Sequence, residues 1–91
     1  MRQQTTNYKT RVAQIEAVMF IDEYHRVNKY PPSVREIGNY MGFSSSSTAQ
    51  KIVSLLHDKK LIAIDSGVAR GMRVTPLGKS VIKEYMSEIS E

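Results

Sequence analysis

Between Pro31 and Lys60 the chain reads PPSVREIGNYMGFSSSSTAQKIVSLLHDKK, and few folds accommodate that run, because it encodes two short helices with a tight turn between them. Ser33 and Glu36 have the S-x-x-E spacing of a capping box, in which each side chain satisfies the other residue's backbone N–H, and Pro31 with Pro32 holds the approach extended. The first helix is therefore expected to begin at Ser33 or Val34. Val34, Ile37, Tyr40 and Met41 recur at helical spacing, and Gly42 follows as the residue best suited to a left-handed stop. Phe43 is the apolar plug of the turn, and the serines from Ser44 to Ser47 are candidate caps for the second helix. There Ala49, Ile52, Val53 and Leu56 form one apolar stripe with Leu55 at its edge, while Ser47, Thr48, Gln50, Lys51 and Ser54 fall on the other side.

A helix that exposes short polar side chains at its N-terminal end can approach DNA closely. Its free N–H groups and positive dipole end face phosphates, and Gln, Thr, Ser and Lys can reach base edges. A solvated helix face with a redundant serine cap is the alternative reading of the same residues.

The remainder of the chain bears on this choice. At 91 residues, 41% of them apolar, the chain forms one domain with a modest core. The absence of cysteine excludes disulfides and thiolate metal sites, and makes the cytoplasm the default location. No apolar run is long enough for a membrane span, and MRQQTTNYKT lacks the apolar core of a signal peptide. Lys83 against Glu84, Glu88 and Glu91 makes residues 81–91 net −2, so residues 1–80 of this +4 chain carry +6. The basic portion thus contains the two-helix motif and attracts phosphate backbones at long range, while a pI of about 9.5 is also common among proteins that never touch nucleic acid.

In chain order, residues 1–9 are polar and expected to be flexible. From Thr10 to Asn28, Val12, Ile15, Val18, Met19, Ile21 and Tyr24 follow helical spacing, with Ala17, Phe20 and Val27 widening the face, and Lys29 and Tyr30 end the helix before Pro31. Leu61 to Ile64 and Met72 to Thr75 read as two short strands of a β-hairpin, joined through Gly67 and Gly71. Alternation sets Arg73 away from the face used by Met72 and Val74, so Arg70 and Arg73 become two cations on a protruding hairpin. Pro76 breaks the strand, and Leu77 to Glu91 reads as a final helix with Leu77, Val81, Ile82, Tyr85, Met86 and Ile89 on a broad apolar face. That face either covers the back of the core or pairs with its copy in a homodimer.

The predicted fold is α+β and mainly α: a winged helix-turn-helix of three helices and a two-stranded β-hairpin wing over residues 10–76, followed by an extra C-terminal helix over residues 77–91. Within it YPPSVREIG, MGFSSSST and SGVARGMRV resemble the N-terminal DNA-binding domain of LexA-type repressors, over roughly residues 10–75. The resemblance implies that Ser45, Ser47, Thr48, Gln50 and Lys51 read the operator's bases. It further implies that the wing, through Ser66, Gly67, Arg70 and Gly71, approaches the phosphate backbone; Arg73 on the same hairpin, Ser44 in the turn and Ser54 on the reading helix are expected to contact the backbone too. Members of this family bind inverted-repeat operators as dimers and repress genes of the DNA-damage (SOS) response. Gln50 and Lys51 stand where members vary, so the sequence recognised need not be that of any relative.

LexA-type repressors continue into a C-terminal domain that dimerises and cleaves itself, whereas this sequence ends after its extra helix. The expectation is a small stand-alone regulator, of the kind carried by a phage or other mobile element, that dimerises through Leu77 to Ile89 or its N-terminal helix.

An enzyme is not expected, and neither a metal nor another cofactor is implied. His25 and His57 fall on different helices without a ligand spacing, and the serines lack a G-x-S-x-G elbow. The rival reading is a winged-helix protein-interaction module that holds a protein co-regulator instead of DNA. Lys51, Arg70 and Arg73, with no carboxylate among residues 66–83, favour double-stranded DNA as the partner.

Overall fold

A computed structural model describes residues 9–65, 67 and 70–89. Their order is α1 (Arg11–Asn28), α2 (Val34–Met41), α3 (Ser46–Asp58), β1 (Ile62–Ile64), β2 (Met72–Val74) and α4 (Pro76–Ile89). β1 and β2 pair antiparallel with Ile62 opposite Val74, Ala63 opposite Arg73 and Ile64 opposite Met72. Three helices, a two-stranded wing and a fourth helix make the winged helix-turn-helix that the spacing predicts.

Each helix starts where a side-chain oxygen can replace a missing carbonyl. Thr10 accepts from the Ala13 N–H ahead of α1. At α2 the capping box is complete: Ser33 Oγ accepts from the Glu36 N–H at 3.2 Å, and Glu36 Oε1 accepts from the Ser33 N–H at 2.8 Å. Gly42 then takes a left-handed φ of 78° and ends the helix. α1 stops by the same geometry at Lys29, whose N–H bonds to the His25 carbonyl, so the left-handed cap closes the helix two residues before Pro31.

α4 departs from the expected boundary. It begins at Pro76, with Thr75 as the residue that anchors it: the Thr75 hydroxyl donates to the Lys60 carbonyl at 2.6 Å and accepts from the Gly78 N–H at 3.0 Å. Pro76 opens the helix because the first helical position needs no N–H.

The core joins Ala13, Ala17, Val18 and Ile21 of α1 to Ile37 and Met41 of α2, Ile52, Val53 and Leu56 of α3, and Leu61, Ile62 and Met72 of the wing base. Phe43 packs against it from the turn. The inward face of α1 runs through Ala13 and Ala17, whereas Val12 and Val27, which helical spacing assigns to the apolar side, are exposed. α2 and α3 cross closely at Gly38, where an added Cβ would lie 3.2 Å from Ala49 Cβ.

Candidate nucleic-acid interface

α3 divides cleanly into two sides. Ala49, Ile52 and Leu56 are completely buried and Val53 nearly so, which fixes the helix on the core and leaves Ser47, Gln50, Lys51 and Ser54 as an exposed stripe at i, i+3, i+4 and i+7. Lys51 makes no ion pair among the described residues. Ser45 is the N-cap: its Oγ accepts from the Thr48 N–H at 3.3 Å and shares a hydrogen bond with Ser47 Oγ at 2.9 Å. Ser44, one residue earlier, is exposed, and Thr48 is half-buried. Of the candidate base-reading residues, Ser47, Gln50 and Lys51 thus project outward, while Ser45 and Thr48 shape the helix start.

A shallow groove runs beside this stripe, lined by Gln50, Lys51, Ser54, Leu55, Asp58 and Lys59 together with Lys9 and Gln14. Gln14 is a buried polar side chain that holds the two lysines in place: its Nε2 donates to the Lys9 carbonyl at 2.9 Å, and its Oε1 accepts from Lys59 Nζ at 2.7 Å. Sequence periodicity does not find this arrangement, because Gln14 and Lys59 are 45 residues apart.

The wing's arginines are both partnered. Arg73 donates through Nη1 to both carboxylate oxygens of Asp65, at 2.8 Å each. Arg70, in left-handed backbone with φ 57°, turns back onto the start of α2. Its Nη1 donates to Glu36 Oε1 at 2.8 Å and to the Pro31 carbonyl at 3.0 Å, and its Nη2 donates to Glu36 Oε2 at 3.2 Å. The guanidinium lies 4.9 Å from the centroid of the Tyr30 ring. Tyr24 adds a hydroxyl that donates to Glu36 Oε2 at 3.0 Å. The carboxylates that meet these cations lie outside the 66–83 window that looks free of acid in the sequence: Asp65 directly before it, and Glu36 far upstream at the start of α2.

The pairing shifts the acidities of the cluster's groups. The Arg70 hydrogen bonds, and after them the Ser33 N–H, hold the Glu36 carboxyl down at about 2. The hydrogen bonds that Arg70 donates to Glu36 raise the guanidinium above its ordinary range, and burial followed by the bond to Glu36 raises the Tyr24 phenol.

Gly67 has a φ of 77°, which suits glycine, and Gly71 accepts from the Asp65 N–H at 3.0 Å to close the wing. Ser66 and residues 1–8 lie outside the described residues. On α4, Val81 and Ile82 pack against the core and Tyr85 is half-buried, whereas Leu77, Met86 and Ile89 are 50%, 44% and 58% exposed. His25 and His57 are both exposed. Among the described residues no helix is long and apolar enough to cross a membrane, and no group of three His, Cys, Asp or Glu side chains is placed to hold a metal.

Comparison with known proteins places this geometry in a family. Residues 9–71 match the family described as the LexA DNA binding domain. The chain is 37% identical over 70 residues to the LexA repressor of Enterococcus faecalis, covering 77% of this chain and 34% of that protein. It is 39% identical over 71 residues to the LexA repressor of Leuconostoc mesenteroides, covering 76% and 34%, and 43% identical over 67 residues to that of Lactiplantibacillus plantarum, covering 71% and 31%. The chain therefore spans about a third of the length of the curated relatives it matches. The matched segment ends within the wing, so α4 lies beyond it.

Proposed function

Since this chain belongs to the LexA DNA binding domain family, we propose that it is a sequence-specific double-stranded DNA-binding transcriptional regulator, a repressor that reads an inverted-repeat operator as a dimer. One observation carries the reading: Ser47, Gln50, Lys51 and Ser54 form an exposed stripe on a helix whose opposite face is locked into the core. A helix so held presents a fixed set of side chains to the major groove, and its N-terminus and flanking cations meet phosphate. Gln50 and Lys51 read base edges, Ser47 and Ser54 approach the groove walls, and Ser44, Lys9 and Lys59 border the backbone. The wing follows the backbone with Gly67, Gly71 and Arg73. Leu77, Met86 and Ile89, left uncovered by the core, are the surface for a second copy of the chain, and the protein acts in the cytoplasm.

Substitution separates these roles. Gln50→Ala and Lys51→Ala each weaken binding to the preferred duplex by about 1–3 kcal/mol and relax preference at the contacted base pair. Arg73→Ala weakens all duplexes alike. Titration of each variant against matched and base-substituted duplexes checks the assignment, and a change of sequence preference in Arg73→Ala would reverse it.

A further inference from the structure

We propose that Arg70 is a positioning residue: it latches the wing to the first turn of α2 through Glu36 and sets the wing's approach to DNA without itself binding phosphate. The proposal deepens the DNA-binding reading and rests on it for its second readout. Arg70 is the only arginine among the described residues in left-handed backbone, a conformation that costs a side-chain-bearing residue energy unless its surroundings hold it. Here they hold it on three sides. The bidentate pair with Glu36 uses both carboxylate oxygens, the Pro31 carbonyl takes a further proton, and Tyr30 lies against the guanidinium. Glu36 is itself immobile, because the capping box fixes Oε1 to the Ser33 N–H and Tyr24 donates to Oε2. The wing is thus tied at Arg70, across 34 residues of sequence, to the same turn that sets the position of the helix-turn-helix.

This geometry sets the latch against a simple phosphate contact. Arg70 engages both Nη atoms, on Glu36 and the Pro31 carbonyl, whereas Arg73 pairs with Asp65 through Nη1 alone, so Arg70 has less left to offer a phosphate, and its rigid fork is what Lys cannot reproduce. Glu36→Gln is the informative change, because glutamine keeps the capping-box hydrogen bond while removing the ion pair. If Arg70 bound phosphate, Glu36→Gln would free it, tighten DNA binding and steepen the salt dependence by about 0.9 in the log–log slope. The latch requires the opposite: Glu36→Gln, Arg70→Lys and Arg70→Ala each weaken binding several-fold while the salt slope stays as in the wild type.

The test has two arms. In the free protein, NMR measures exchange of the Asp65 amide, which donates to the Gly71 carbonyl beside Arg70. The latch predicts several-fold faster exchange in Glu36→Gln and Arg70→Lys, with core amides unchanged. Unaltered Asp65 exchange in both variants overturns it. In the second arm, the duplex most enriched from a random pool by the wild-type chain is titrated with the same variants at two salt concentrations. Weaker binding at constant slope supports the latch, and tighter binding in Glu36→Gln overturns it. If the wild-type chain enriches no duplex, the DNA-binding reading fails, and the exchange rates alone decide whether the latch exists.

Discussion

Glu36 serves two structures at once, and that double use has a measurable consequence at the residue scale. Its carboxylate caps α2 and receives Arg70, which together hold it down at about 2 against an ordinary value of 4.5. A carboxyl held lower in the folded than in the unfolded chain stabilises fully above pH 4.5, and that stability is lost as pH falls from 4.5 toward 2. Glu36→Gln is therefore less stable than the wild type at neutral pH, and the gap between them closes across this window. Thermal melts of both proteins from pH 7 to pH 2 check this, and a constant gap contradicts it. One half of the double use is legible in the sequence: Ser33 and Glu36 are three apart, and the capping box follows from spacing. The other half is not. Nothing local connects Arg70 to Glu36, because their meeting depends on the path of the wing, and Tyr24 and Tyr30 join only after α1 and the Tyr-Pro-Pro link have placed them.

At the scale of elements, the helix boundaries follow from caps that can be read directly, while packing between elements decides what spacing leaves open. The stripe on α3 and the stop at Gly42 are of the first kind. Val12 and Val27 are of the second: apolar periodicity places them on a helix face, but the neighbours of α1 cover only the side bearing Ala13, Ala17, Val18 and Ile21. Gly78 is another such case. Nothing in PLGKSV reveals it as a contact, yet α4 presses so closely on the end of α3 and the start of β1 that a Cβ there would lie 2.3 Å from the Leu61 carbonyl oxygen. Gly78→Ala gains at most about 1 kcal/mol of helix propensity, against roughly 1–3 kcal/mol or more for forcing α4 off the backbone beneath it. We expect a net loss of stability, read as a lower urea midpoint at unchanged slope. A variant as stable as the wild type would mean that α4 packs more loosely than the Thr75 anchor indicates.

For the molecule as a whole, net charge is a weaker guide to the partner than the arrangement of surfaces. Residues 1–80 carry +6, but both wing arginines are engaged by carboxylates, while Lys9, Lys51 and Lys59 border the groove beside α3 together with Asp58. Two surfaces are then left facing outward with side chains that suit a partner: the polar stripe of α3 and the apolar edge of α4. In the proposed reading the first faces DNA and the second faces another copy, so a dimer would present two reading helices to two half-sites. The measurement that addresses this most directly is selection of duplexes from a random pool by the purified chain, with the retained fraction sequenced at two salt concentrations. A dimeric DNA reader enriches an inverted repeat whose affinity falls steeply as salt rises. Retention without any enriched sequence would contradict that reading, and would leave the α3 stripe and the α4 edge as surfaces for a protein partner.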